Sequence, residues 1–190
     1  MGINLGAPGD RLDDHGTLWL DFPSVGGPSP SVPIAVEPEE PEWFAHHSSW
    51  VRGDGLKWVA ASGAEGIRSA RITLAGRLTK WRREHPTVLS RWLARKKRPK
   101  SPPRCYTVRL HFVEPDDVPS GTRLFSVSLQ GQCVIESLDV SGEAGGPRRP
   151  LVVEFPSIEV IDELKIALAP IAGASLPETV LCGIEVVGEE

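Results

Sequence analysis

Apolar and polar residues alternate with a period of two through much of the second half of the chain. Tyr106, Val108, Leu110 and Phe112 alternate with Thr107, Arg109 and His111; Phe125, Val127 and Leu129 alternate with Ser126, Ser128 and Gln130. A strand points successive side chains to opposite faces, so each run buries one face and wets the other. Leu164, Ile166, Ile184 and Val186 fall on the same buried face by this pattern. Strands are further predicted over residues 133–136, 151–155, 164–168 and 180–187, with turns at Pro119-Ser120-Gly121, Gly145-Gly146-Pro147 and Ala172-Gly173. Many short strands with irregular connections predict an all-β fold, an antiparallel sandwich of two sheets.

The first half is less regular. Residues 17–22 predict a strand with Leu18 and Leu20 on one face, after which Pro23, Pro28, Pro30 and Pro33 hold the chain extended. Pro38 and Pro41 continue that character through an acidic stretch. Two more strands are expected over 43–51 and 56–61, joined by a turn at Gly53-Asp54-Gly55. Composition agrees: 19 Gly and 18 Pro among 190 residues favour a turn-rich β protein over a helical bundle. The length suits one domain over 1–190, which buries roughly 70% of its unfolded surface and needs no disulfide or metal to be stable. Neither an apolar run of about 18 residues nor a signal-peptide pattern in residues 1–10 occurs, so the chain as it stands is expected to be soluble, without membrane span or export signal. The compartment is left open.

Charge is uneven. Residues 77–104 hold seven Arg and four Lys against one acid, Glu84, a net of +10 that leaves −14 on the remainder of a chain whose total is −4. This pattern predicts a basic insertion in an acidic domain. Pro86 suits a first helical position, Val88, Leu89, Trp92 and Leu93 recur at helical spacing, and residues 95–98 put positive charge at the helix C-terminus, so a short helix is expected over 86–97. The acidic remainder repels phosphate, which argues against nucleic acid and for docking of the basic insertion on an acidic protein partner or on the chain's own acidic face.

The chain has no G-x-S-x-G, HExxH or P-loop, and no residue set with a credible nucleophile or acid pair, so no enzyme, catalytic residue or cofactor is expected. His46 and His47 are adjacent and, on a strand, point to opposite faces, which argues against a shared metal. Gly142, Gly145 and Gly146 precede Arg148 and Arg149, but a strand follows them where a phosphate cradle needs a helix, so a turn is the better reading. Cys105, Cys133 and Cys182 show neither metal-site spacing nor a disulfide framework; each is expected to be a buried free thiol, with a Cys105–Cys182 pair left open. Six Trp beside one Tyr is the unusual feature. Aromatic faces stack on the apolar side of sugar rings while carboxylates accept the hydroxyls. Trp43, Trp50 and Trp58, with His46, His47, Glu114, Asp116 and Asp117, supply that mixture.

The run from Tyr106, YTVRLHFVEPDDVPSGTRLFSVSLQGQCVIESLDVSGEAGGPRRPLVVEF, then DELKIALAP and the closing VLCGIEVV, resembles the malectin-like, or di-glucose-binding, domain family. Upstream, DDHGTLWLDFPSVGG resembles the family's early pattern of Asp, Gly, Trp, Asp and paired Gly, so that the resemblance spans about residues 4–187, with the basic segment as an interruption. It implies a jelly-roll-like β-sandwich that binds carbohydrate without altering it, and a bacterial branch in which such a module ends a longer chain, often after a β-propeller. In the animal lectin, aromatic residues that stack on the sugar follow a Phe-Ala-Glu motif; here Phe112-Val113-Glu114 matches it, but Pro115 and Asp116 follow. The family's stacking residues are thus missing at that loop, and the residue chemistry above supplies the expectation instead: a neutral oligosaccharide held by Glu114, Asp116 and Asp117, with stacking by Trp43, Trp50 or Trp58 beside His46. The competing reading is a structural or protein-interaction module of a larger, β-propeller-containing protein. A lectin predicts exposed aromatics beside Glu114 and Asp116 in one cleft; a scaffold predicts those tryptophans buried.

Overall fold

The computed structural model describes residues 1–26, 30, 32–74 and 102–189. The expected helix over 86–97, and all but the last residues of the basic insertion, lie outside them. The strands in chain order are β1 (Gly2–Leu5), β2 (Arg11–Leu12), β3 (Leu18–Phe22), β4 (Ile34–Glu37), β5 (Glu42–Ala45), β6 (Ser62–Glu65), β7 (Ser69–Thr73), β8 (Arg104–Phe112), β9 (Phe125–Leu129), β10 (Gln132–Leu138), β11 (Leu151–Val160), β12 (Glu163–Pro170), β13 (Val180–Leu181) and β14 (Gly183–Gly188). Among the described residues, two short helices, α1 (Lys57–Ala60) and α2 (Val140–Ala144), and a 3-10 turn at Ser48–Trp50 interrupt them.

Among the described residues the strands form a six-stranded sheet, β11-β8-β14-β1-β3-β2, a five-stranded sheet, β10-β9-β12-β7-β4, and a small sheet, β13-β6-β5. Every pairing is antiparallel except β1 with β3. The first two sheets form the sandwich. Val108, Leu110, Phe112, Ile184 and Val186 from one face Phe125, Val127, Leu129, Leu164 and Ile166 from the other, all buried, with Tyr106 packed at the margin. The Phe112 and Phe125 rings meet 6.0 Å apart. Removing such side chains from water stabilises by about 1.5–3 kcal/mol each, so the period-two pattern fixes register as well as fold.

Four local expectations are corrected. Residues 56–61 do not form a strand: Lys57–Ala60 make one helical turn, and the partner of β5 is β6, further along the chain. Close approach decides this, because a Cβ at Gly63 would lie 2.6 Å from the Phe44 ring, so only a glycine-bearing segment fits beside β5. The strand expected over 43–51 ends at Ala45, after which His47 caps the 3-10 turn by accepting the Ser49 N–H. The run 180–187 splits at Cys182 between the small sheet and the six-stranded sheet. Of the cysteines, all free, only Cys182 is buried; Cys105 near the start of β8 and Cys133 on edge strand β10 are exposed.

His111 lies on the polar side of β8 and is nevertheless only 6% exposed. The outer face of the six-stranded sheet is covered there by a second aromatic layer: Trp19 meets His111 edge-on at 5.0 Å and Trp58 at 5.6 Å. Two glycines make room for it. A Cβ at Gly2 would sit 2.2 Å from the Trp19 ring, and one at Gly183 would sit 2.7 Å from Val59.

Candidate functional site

Register places one end of the sandwich. Leu151 pairs with Phe112, His111 with Gly183, Gly183 with Asn4, and Leu5 with Phe22, so the loops after β1, β3 and β8 and the segments before β11 and β14 share one end. The 113–124 connection, which carries Glu114, Asp116 and Asp117, belongs to this end.

Glu114 is 1% exposed and is held from two sides. Its Oε2 accepts from Arg123 Nε at 2.9 Å and its Oε1 from the Asp116 N–H at 3.1 Å. The Arg123 side chain, itself 1% exposed, donates onward through Nη1 to the Glu178 carbonyl and through Nη2 to Glu65 and Asp116, each at 2.8 Å. One cation thus faces three carboxylates. Burial lifts Glu114 and Glu65 above the usual carboxylate range, with Arg123 pulling the other way. Burial also lowers Arg123, but Glu114 and Glu65 outweigh it and hold the guanidinium above its ordinary value. Chemically, this cluster ties the 113–124 loop to β6 and to the chain entering β13. Glu114 presents nothing to solvent.

The other residues singled out in the sequence are dispersed around this end. Asp116 and Asp117 are exposed, Asp116 on Arg123 and Asp117 paired to Arg148 at 2.8 Å. Trp50 has His46 stacked on it at 4.2 Å and the Arg148 guanidinium 5.5 Å from its ring centroid. Trp58 packs edge-on against Trp19 and carries the Arg11 guanidinium over its ring at 4.7 Å. Both indoles are partly covered by protein groups. His47 is spent on the cap of the 3-10 turn.

Trp43 differs. It is half-buried on β5, meets Phe22 edge-on at 6.1 Å, and lines a cavity of about 690 Å³ with Phe22, Pro23, Glu39, Glu40 and Pro41. That volume lies within the range of small-ligand sites. A smaller cavity of about 240 Å³ lies among Ser69, Arg71, Ser128 and Lys165 on the five-stranded sheet and holds none of the residues above. Glu39 and Glu40 are exposed at the groove. The sequence reading missed Phe22, Glu39, Glu40, Glu65 and Arg123. A sequence signal existed only for Glu39 and Glu40, in the acidic, proline-punctuated run 37–42; an isolated arginine gives no hint that it is buried.

Residues 103–172 match the family model for the malectin domain. A probable receptor-like protein kinase of Arabidopsis thaliana is 30% identical over 92 residues, which is 43% of this chain and 11% of that protein. Among solved structures, the ANXUR1 extracellular domain of Arabidopsis thaliana superposes with a TM-score of 0.66 at 11% identity, covering 100% of this chain and 48% of that one. A Bacteroides uniformis β-glucuronidase superposes with a TM-score of 0.62 at 15% identity, over 100% of this chain and 18% of that one. The chain therefore spans half or less of the length of each of these proteins. Over residues 103–172 it is malectin-like in sequence, and over its whole length it has the fold seen in these receptor and glucuronidase structures.

Proposed function

We propose that the chain is a non-catalytic carbohydrate-binding module that holds an oligosaccharide at the loop end described above, with Trp43 as its stacking surface. The observation that carries this reading is the groove between Trp43 and Phe22, an aromatic wall with carboxylates at the groove and an adequate volume. An indole face covers the apolar side of a pyranose while Glu39 and Glu40 accept its hydroxyls, which gives orientation together with desolvation. Asp116 and Asp117 offer further acceptors on the same end of the sandwich, with Trp50 and His46 beside them. Glu114 serves by holding the loop rather than by touching the ligand. The malectin match over residues 103–172 supports the same class of ligand.

A second reading, an interaction module within a larger protein, is favoured by one observation: the similar proteins are all far longer than this chain. Titration separates the two. Glucose and galactose oligomers added to the 15N-labelled protein should give saturable shifts at Trp43 and neighbouring residues, and Trp43→Ala should weaken binding at least tenfold while keeping a dispersed spectrum. A complete lack of saturable shift with any glycan at millimolar concentration rejects the carbohydrate reading.

A further inference from the structure

The groove holds more negative charge than hydroxyl recognition requires. Glu37, Glu39, Glu40 and Glu42 put four carboxylates into six positions, and no Lys or Arg occurs in the sequence between Arg11 and Arg52. None of the four has an ion-pair partner among the described residues. Elsewhere at this end each of the carboxylates named has a cation beside it: Arg123 is shared by Glu114, Glu65 and Asp116, and Arg148 pairs with Asp117. Beside Trp43, Glu39 and Glu40 have no such partner among the described residues. Glu39 and Glu40 line the same cavity as the indole, whose face attracts cations through its quadrupole as well as covering apolar C–H groups.

From this juxtaposition we infer that the groove selects a cationic amino sugar, a hexosamine unit bearing a free ammonium group, over the neutral sugar of the same shape. The inference rests on the carbohydrate reading proposed above and deepens it. A pyranose ring stacked on Trp43 brings the groups at its edge toward Glu39 and Glu40. A hydroxyl there gains a hydrogen bond to a carboxylate that water satisfies almost as well, so it gives little selectivity. An ammonium at the same position gains a charge-assisted hydrogen bond and lies in the field of Glu39 and Glu40. An N-acetylated hexosamine has the same skeleton without the charge and loses this gain, and a uronic acid is repelled.

Three β-1,4-linked trimers of matched skeleton test this directly: glucose, glucosamine and N-acetylglucosamine, titrated into the full chain by NMR shift mapping at 20 mM and 300 mM salt. The glucosamine trimer should bind about tenfold more tightly than the glucose trimer at low salt, as two exposed ion pairs allow, and the ratio should shrink at high salt. Raising the pH above the amine pKa should abolish the ratio. In a Glu39→Gln/Glu40→Gln variant, whose exposed positions leave the fold intact, the glucosamine and glucose trimers should bind equally. Equal affinity of the three trimers for the wild type overturns the amino-sugar assignment and leaves the carbohydrate reading standing. A preference that survives the double substitution or ignores salt overturns it as well. Saturation by none of the trimers removes both.

Discussion

Replacing Arg123 with methionine tests whether the loop end is built around one buried cation. Arg123→Met keeps most of the side-chain volume and leaves Glu114, 1% exposed, without its counter-charge. Breaking a buried ion pair by removing one partner costs about 3–5 kcal/mol, because the remaining charge stays desolvated. Glu65, at 17% exposure, adds to this, whereas Asp116, at 52%, turns to water and adds little. The loss has a sign in pH. Burial already holds Glu114 above its ordinary 4.5, and without Arg123 it rises further. In the variant the folded state then binds more protons than the unfolded one, so stability falls as pH rises from 4.5 through the folded pKa and levels off above it. Urea unfolding at pH 5.0 and 7.5 should therefore show a gap from wild type of about 3–5 kcal/mol at the higher pH and a clearly smaller one at the lower. Adding Glu114→Gln to Arg123→Met should recover much of the loss by removing the stranded charge. A gap below about 1 kcal/mol at pH 7.5, the same gap at both pH values, or a double variant no better than the single would refute the account.

Two further outcomes concern the aromatic layer on the six-stranded sheet. Burial pulls His111 down to about 4 from 6.5, with Glu185 opposing and Arg109 adding to the fall. The folded state thus resists a proton that the unfolded chain accepts, and stability drops as pH falls from 6.5 to 4 by about 3 kcal/mol in total, at 1.36 kcal/mol per pKa unit. Thermal melts across that range should show a steeper acid loss for the wild type than for His111→Gln, and parallel curves would exclude the histidine as the source. At Gly2, an alanine Cβ would lie 2.2 Å from the ring of Trp19, which is 1% exposed and has no room to yield. Gly2→Ala should cost about 1–3 kcal/mol, seen as a Tm decrease of about 2–4 °C per kcal/mol, whereas Gly9→Ala, with open space around it, should change Tm little.

The sandwich was legible wherever burial alternates. Tyr106 to Phe112 and Phe125 to Leu129 carry their faces in the sequence because a single side of each strand meets the core. The reading failed where a strand is covered on both sides: His111 was assigned to solvent because no local pattern announces that Trp19, itself packed against Trp58, closes over it. It failed again at Lys57–Ala60, where an apolar run short enough for either a strand or one helical turn was decided by Gly63, beyond the run itself. At the candidate site, the three acidic residues 114, 116 and 117 were correctly read as a loop cluster but not as a divided one. What separates them is Arg123, which reaches Glu114 and Asp116 and leaves Asp117 to Arg148.

That division explains why an acidic residue next to a strand end is a poor guide to exposed charge in this protein. Val113 and Glu114 follow β8 directly and are buried with it, so Glu114 inherits the low exposure of the core and needs an internal cation. Arg123 comes from the far end of the same loop, just before β9, and its guanidinium closes the connection by pairing with Glu114 and Glu65. A loop fastened in this way orders the surface around it without contributing much of its own charge to solvent. The 37–42 stretch is held differently: Pro38 and Pro41 restrict its backbone, Pro41 is buried, and β4 and β5 anchor its two ends. Glu39 and Glu40, between those two strands, make no ion pair among the described residues, and the restricted backbone leaves less conformational entropy to lose on binding. On the proposed reading, binding chemistry falls where proline, not ion pairing, supplies the rigidity, and the Trp43 groove combines that restricted backbone with carboxylates that have no ion-pair partner among the described residues.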